Sequence, residues 1–392
     1  MKEQVSELAQ VLKENILPYW MDKMVDNEQG GFIGQIDGNE QRNVQADKSI
    51  ILNTRILWTF SAVYQQLKDD RYKQMAERAF DYLVKKFVDD QYGGVYWMLD
   101  AQGNVKDGKK QVYAQAFMIY ALSEYYKISK DEKALTLSLA LFELLEKYSL
   151  DKENNGYLEA FDRQWQLLED LRLSEKDANE KKTMNTHLHV LEAYTNLYRL
   201  WKGDALNKSL KNLIELFLER FIDDNGHFLL FFDEEWNSKS NKVSYGHDIE
   251  GSWLLYEAAE VLGDEALLEK VKAASLKMAD VFISEGISPE HAVYNESEDG
   301  IFEDEFHWWP QAEAMVGLVN AWQLTGKSIY LEETVKIWAF TKDNIIDWEN
   351  GEWYWGISKN GAVLRNEDKA GPWKCPYHNG RALLEVMHRL EA

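Results

Sequence analysis

The chain of 392 residues carries 44 Lys plus Arg against 67 Asp plus Glu, a formal net charge of −23. DNA, RNA and anionic membrane surfaces are bound through basic patches, so this balance argues against all three as partners. A 45% hydrophobic fraction with 15 Trp, 20 Tyr and 16 Phe supplies a large apolar core and excludes disorder, while a single Cys excludes a disulfide framework.

The first twenty residues, MKEQVSELAQVLKENILPYW, mix charges among apolar positions as an amphipathic helix does and show no signal peptide. The longest apolar stretches, SIILNTRILWTFSAVY and ALTLSLALFELLEKY, are broken by Asn53, Arg55 and Glu143 before they reach the length of a bilayer span. The expectation is a soluble, cytoplasmic protein.

Apolar residues recurring at i, i+3, i+4 and i+7 predict helices over approximately 2–24, 49–68, 71–89, 113–128, 131–148, 183–202, 205–223, 247–263, 265–284, 309–325, 328–346 and 377–391. Short polar linkers at 67–75, 128–135, 201–207, 262–269 and 324–333 end one run and begin the next. Gaps this short force the neighbouring helices antiparallel, giving five αα-hairpins. Between the hairpins lie Gly-led aromatic segments at 30–37, 92–103, 155–165, 225–236, 299–309 and 350–361, the fifth the weakest. Their alternation reads as short strands or β-hairpins.

The two elements repeat with a period of roughly 50–75 residues, so six units cover the chain. An open solenoid needs polar caps at its ends, but the first and last runs, with LPYW and ALLEV, are as apolar as the internal ones. The economical architecture is an all-α (α/α)6 barrel, a single catalytic domain over 1–392, with short β-hairpins at the site end. The helices beginning near 49, 113, 183, 247, 309 and 377 are then the inner ones, and all start at one end.

That end collects chemistry. The inner-helix starts hold Asn53 and Arg55, Tyr113, Asn185 and His189, His247 and Glu250, Trp309 and Glu313, then Trp373 and His378. Three of eight His gather there, beside helix N-termini that favour a developing anion. His247 and Glu250 are i,i+3 and share a helix face, which suits a carboxylate orienting an imidazole. Asn185 with His189, and Trp309 with Glu313, are i,i+4.

His187 should face elsewhere, and His227, His291, His307 and His388 are expected to be structural or surface residues. Trp253, Trp322 and Trp338 read as packing, whereas Trp309 and Trp373 suit a sugar-stacking platform. Asp248 and Glu192 read as solvated or structural. Cys375 as a thiol nucleophile and zinc on His189, His247, Glu250 and His378 are minority readings, because no oriented partner, HExxH or paired-Cys spacing accompanies them.

The stretches ILNTRILWTFSAVY, VYAQAFMIYALSEYY, KTMNTHLHVLEAYTNLYRL, VSYGHDIEGSWLL, WWPQAEAMVG and WKCPYHNGRALLEV resemble the N-acylglucosamine 2-epimerase superfamily. NTHLHVLEAYTNLYR and KCPYHNGR look like its cellobiose 2-epimerase branch. The resemblance spans nearly the whole chain. It implies an (α/α)6 barrel, no cofactor or metal, and epimerisation at C2 of the reducing-end glucose of cellobiose or lactose. Carried onto matching positions, His247 and His378 look like the two general acid/base residues and His189 like their assistant. Arg55, Tyr113, Asn185, Glu250, Trp309, Glu313 and Trp373 resemble sugar-site positions. A small-molecule disaccharide as the only partner and a monomeric state complete the expectation.

The chemistry suits these residues. The C2 proton of an aldose is acidic only after ring opening, a step His189, Glu250 or Glu313 could assist, and its removal leaves an enediolate whose charge Arg55, Asn185 or Tyr113 can hold. Inversion asks for a base on each face. Two imidazoles meet that need near neutrality, one starting neutral and the other charged. Monosaccharide aldose–ketose isomerisation or N-acylglucosamine epimerisation stay open, as do an inverting glycosidase using Glu250 with Glu313 or Asp248, and a non-catalytic sugar-binding module. The polar stretch 172–182 reads equally as a lid or an inert surface loop.

Overall fold

The computed structural model describes residues 2–175 and 177–391. Met1, Lys176 and Ala392, which belong to the expected 1–392 domain and, for Lys176, to the 172–182 stretch, lie outside the described residues. The first predicted run is α1 (Lys2–Val11), a π-helical turn over Leu12–Ile16, and α2 (Leu17–Asp22). α3 (Ile50–Leu67) stops where Lys68 turns left-handed, and Asp69 then caps α4 (Asp70–Tyr82) by accepting from the Arg71 N–H. The same device joins α5 (Val112–Ser129) to α6 (Glu132–Tyr148) through Lys130 and Asp131. After α7 (Met184–Leu200) and α8 (Asp204–Leu216), it recurs between α9 (Tyr245–Leu262) and α10 (Glu265–Glu285) through Gly263 and Asp264. α11 (Trp308–Thr325), α12 (Ser328–Asn344) and α13 (Tyr377–Glu391) complete the set.

The inner helices pack in order, α3 on α5, α5 on α7, α7 on α9, α9 on α11 and α11 on α13. α13 returns to α3, closing the ring, while α1 packs on α13 from outside. The chain is an (α/α)6 barrel. Burial explains which helices lie inside: α5 is buried without a break from Val112 to Tyr125, whereas α4 buries one stripe, through Tyr72, Met75, Ala76, Ala79 and Phe80. No helix among the described residues is long and apolar enough to cross a membrane.

A short strand leads into each of five inner helices: Lys48–Ser49, Lys110–Gln111, Lys182–Thr183, Lys242–Ser244 and Glu305–His307. Each pairs antiparallel with a strand of the following unit, respectively Met98–Leu99, Ala160–Phe161, Phe231–Phe232, Glu296–Glu298 and Gly356–Ser358. An Ile36–Ala370 bridge closes this second circle. Buried ion pairs staple it to the turns below, Lys48 to Asp26 at 2.6 Å, Lys110 to Asp89 at 2.9 Å and Lys182 to Asp151 at 2.7 Å. The hairpins and the inner-helix starts therefore share one end, as the alternation of elements predicts.

The fifth aromatic segment needs correction. The turn equivalent to the Gly-led ones is closed by an Ile287–Val293 bridge, upstream of 299–309, with Ser288 where Asp26, Asp89 and Asp151 stand and His291 at φ 64° where the others use Gly or Asn. Residues 299–309 instead supply the return strand and the lead into α11. The glycine signal was missing there because a histidine takes the left-handed position.

Candidate active site

Three imidazoles converge on one cavity of about 500 Å³ at the hairpin end. His189 of α7, His247 of α9 and His378 of α13 line it, with Arg55, Tyr113, Asn185, Glu250, Trp309 and Trp373. Each imidazole is anchored through Nδ1. His189 meets Glu192 Oε2 at 2.9 Å, His378 meets Glu313 Oε1 at 2.7 Å, and His247 meets Ser244 Oγ at 2.8 Å. Fixing one ring nitrogen sets the orientation of the ring, and Nε2 of each has no partner among the described residues. A carboxylate accepts only, so His189 and His378 carry their proton on Nδ1 and offer a lone pair at Nε2. The Ser244 hydroxyl can donate or accept, so His247 can take either tautomer.

Behind the imidazoles a buried guanidinium ties the inner helices together. Arg381 donates to Glu192 and Tyr377 through Nη1, and to Glu250 at 2.5 Å and Glu313 at 2.7 Å through Nη2. Burial alone would lower Arg381, but Glu313, Tyr377 and Glu192 outweigh it and hold the guanidinium well above its ordinary value. Burial pushes the carboxyls of Glu192, Glu250 and Glu313 up, and Glu313 adds to the effect on Glu250. The imidazoles move the other way. Burial lowers His189 and His247 to about 3 and His378 well below the usual histidine range, which favours the neutral ring at each in the free site.

Two groupings divide the cavity. Arg55 donates to Tyr113 OH at 2.8 Å, and the Tyr113 ring stands 4.9 Å from His189 and 6.1 Å from Trp373. On the other side the Trp309 ring lies 4.8 Å from His247 and 5.7 Å from His378. The Oδ1 of Asn185 is buried without a partner, as is Glu250 Oε2. Both belong to residues that line the cavity. The cavity runs into a cleft of about 1060 Å³ that shares Leu173, Ser174, Asp177, Asn185, His247 and Trp355 with it. Leu173, Ser174, Glu175 and Asp177 of the 172–182 stretch thus line the cavity.

The residues expected at the site therefore gather there, with exceptions in how they are held. His247 does not pair with Glu250. Ser244, just ahead of α9, takes its Nδ1, and Glu250 is claimed by Arg381. Asn53 is buried but bonds its own helix at the Ser49 carbonyl, away from the cavity lining. Glu313 reaches the site through His378 and Arg381 rather than by lining the cavity. Glu192 is neither solvated nor merely structural, since it orients His189. Glu192, Arg381, Tyr377 and Ser244 are the residues sequence reasoning missed. His189 and Glu192 have the same i,i+3 spacing as His247 and Glu250, and that was the available signal.

Other expectations meet the structure directly. His187 is structural: Nδ1 donates to the Thr183 carbonyl at 2.7 Å and Nε2 accepts from the Tyr157 N–H at 2.8 Å, leaving nothing free. His227 sits between Asp248 and Glu285, and Asp248 also accepts from the Phe228 N–H. His291 pairs with Glu333, while His307, beside Glu305, lies on the wall of the larger cleft. Trp253 packs on Arg381 and donates to Glu313 at 3.2 Å, and Trp338 donates to Glu7. Cys375 is buried, and burial pushes its thiol up despite Arg55 Nη1 lying 3.7 Å from its sulfur, so the thiolate a nucleophile needs is disfavoured. Glu250, Glu313 and His378 bring three possible metal ligands within 4.8 Å, yet Arg381 Nη2 bonds both carboxylates and takes the cation's place.

A helical barrel presenting imidazoles, carboxyls and indoles to one open-ended cavity is a carbohydrate-active scaffold. The comparisons narrow the class. A family model described as N-acylglucosamine 2-epimerase (GlcNAc 2-epimerase) matches residues 31–382. The chain is 48% identical over 384 residues to a cellobiose 2-epimerase of Bacteroides fragilis, covering 97% of this chain and 98% of that one. It is 40% identical over 391 residues to a cellobiose 2-epimerase of Ruminococcus albus, covering 98% of each. The solved cellobiose 2-epimerase from Bacillus thermoamylovorans B4167 superposes with a TM-score of 0.96 at 40% identity, over 99% of this chain and 100% of that one. The chain belongs to the N-acylglucosamine 2-epimerase family.

Proposed function

We propose that this chain is an isomerase that epimerises C2 of the reducing-end glucose of β-1,4-linked disaccharides, turning cellobiose into glucosyl-mannose and lactose into epilactose. The observation that carries this reading is the trio of imidazoles anchored through Nδ1 with Nε2 free toward one cavity, in a chain so similar to cellobiose 2-epimerases along its whole length. The adjoining cleft gives a second sugar somewhere to lie, which a monosaccharide enzyme would not need.

The reducing sugar enters with its anomeric end toward Arg55, Tyr113 and His189, and the His189 imidazole moves the proton between ring oxygen and O1 as the ring opens. C2 then lies between His247 and His378 against the Trp309 ring. One neutral imidazole removes the C2 proton. Arg55, through its guanidinium, and Tyr113, through its hydroxyl, meet the charge that builds on O1 of the cis-enediolate. The second imidazole takes a proton at Nε2 from the medium as the sugar binds and delivers it to the opposite face, while the first sheds the C2 proton to the medium afterwards. At His378 the Glu313 carboxylate, accepting from Nδ1, favours the charged ring. Nothing in this sequence of proton transfers needs a cofactor.

All the groups invoked lie within one chain, so a monomer is sufficient for the proposed reaction. The lone, buried, unpaired Cys375 supports a reducing, cytoplasmic setting. Incubation with cellobiose and chromatographic identification of the product tests the proposal. Glucosyl-mannose is expected; free glucose would mean hydrolysis, and an unchanged disaccharide beside a converted monosaccharide would move the activity to another branch of the family.

A further inference from the structure

Three of the turns beneath the hairpins share one design, and the last turn departs from it. In 26–31, 89–94 and 151–156 the N–H of the opening aspartate donates to the carbonyl of the closing glycine, and Gly31, Gly94 and Gly156 sit at φ 62°, 77° and 80°. The last turn, 347–352, closes by the same bond, Asp347 N–H to the Glu352 carbonyl at 2.9 Å, but with a glutamate at φ 63°. Glycine takes that left-handed conformation freely. A residue with a Cβ does so at a cost, and such an outlier points to a task for the side chain.

The task is visible in the partners. The Glu352 carboxylate is fully buried and has four donors: Oε1 accepts from Lys374 Nζ at 2.7 Å, Asn379 Nδ2 at 2.5 Å and the Trp353 N–H at 2.9 Å, while Oε2 accepts from the Trp20 indole at 2.6 Å. This ion pair is additional to the usual staple, which the same unit keeps as Lys369 to Asp347 at 2.5 Å. In the first three units the stapling lysine stands two residues ahead of its inner helix, Lys48 before Ile50, Lys110 before Val112 and Lys182 before Met184. Lys369 stands eight ahead of Tyr377, where α13 begins, so residues 371–376 are an insertion. That insertion carries Trp373 into the cavity and runs directly into His378. Lys374 and Asn379 are the chain neighbours of Trp373 and His378, so a single carboxylate grips the segment beside each of them. Burying a charge pair gains little stability over apolar packing, and its return here is a fixed geometry.

We infer that Glu352, through Lys374 and Asn379, is a positioning residue that sets Trp373 and His378 in the active site. The roles of those two rest on the epimerase reading, whereas their placement does not. Hydrogen exchange over 371–379, read by mass spectrometry on the full-length protein, and kcat and KM for cellobiose test it together. Glu352→Gln combined with Lys374→Met leaves neither charge buried alone. The pair should speed exchange in 371–379 by about tenfold or more, lower kcat by about 10–10²-fold through His378 and raise KM through Trp373, as small displacements of site groups do. Asp151→Asn combined with Lys182→Met removes an ordinary buried staple and should leave exchange in 371–379 at the parental rate. Unchanged exchange in 371–379, equal acceleration by both pairs, or faster exchange with parental kcat and KM would each overturn the proposal. Glu352→Gln alone keeps the side-chain length and one acceptor, so it answers, in the same direction, where the pair fails to fold. A parent that never converts cellobiose overturns the epimerase reading alone, and the exchange comparison then decides the placement by itself.

Discussion

The two ends of the barrel are built from the same residue types and use them in opposite ways. At the far end Glu124, Glu257 and Glu385 each face a lysine or arginine directly, Glu257 meeting Arg199 at 2.6 Å, and the charge is spent in the pair. At the hairpin end one arginine is shared among Glu192, Glu250 and Glu313, and two of those carboxylates also grip an imidazole. Burial raises those carboxyl groups against the pull of the shared cation and leaves protons to move. Paired charge stabilises, and shared charge is available for chemistry.

The comparison breaks first at the imidazoles. His247→Ala and His378→Ala should each lower kcat for glucosyl-mannose formation by about 10²–10⁴-fold, the usual worth of a general acid or base, with cellobiose binding retained in dialysis. Next come matched carboxylates. Glu192→Gln frees the His189 ring and should lower kcat by about 10²-fold, as a misplaced catalytic group does. Glu257→Gln at the far end should leave kcat unchanged and cost about 0–1 kcal/mol in a denaturant melt, because that pair is partly exposed. Equal losses from both substitutions would erase the distinction between the ends.

Two histidines on one helix sharpen it further. His187 and His189 are both buried and both lowered to about 3 by burial, yet one has spent both nitrogens on backbone and the other has kept Nε2. His187→Ala should cost about 1–3 kcal/mol of stability through the stranded Tyr157 N–H and Thr183 carbonyl, without altering the pH profile of epimerisation. Stability itself should depend on pH with a definite sign. His187, His189 and His247 stay neutral in the fold down to about 3 but protonate near 6.5 when unfolded. Their contribution is complete above about 6.5 and is lost as pH falls toward 3, so the melting temperature should drop across that window and less steeply in His187→Ala.

The smallest effect concerns Glu159. It accepts from the Thr183 N–H at 2.7 Å and bonds the Thr186 hydroxyl, and burial raises it to about 8. A raised carboxyl contributes stability that is full below its unfolded value and lost as pH rises through 8. Glu159→Gln mimics the protonated acid, so by thermal melt it should be neutral at pH 4 and increasingly stabilising as pH rises from about 4.5 to 8.

How much of this was legible varies with the range of the contact. The barrel was readable because its signals are local: an Asp cap at 69, 131 and 264, a left-handed stop at Lys68, Lys130 or Gly263, and helices too apolar to face water. The site was readable by place, since closing the ring puts six helix starts at one end. Its wiring was not. Arg381 meets Glu192 and Glu250 across the barrel, 189 and 131 residues away in the chain, and no spacing rule spans that distance. A shared helix face brought His247 and Glu250 near, but it could not say that Ser244 and Arg381 would compete for them. The clue lay in composition: a lone Glu192 in HVLEAY and a lone Arg381 in NGRALLEV are charges set in otherwise buried runs, and such charges need partners.

The central claim is that two imidazoles serve C2 from different faces, and proton NMR of cellobiose conversion in D₂O tests it most directly. The account predicts glucosyl-mannose carrying deuterium at C2 from the first turnovers, while cellobiose recovered at the same time still holds protium there. Protium retained in the product, or equal deuterium in product and recovered cellobiose, would mean one base working both faces and would contradict the account.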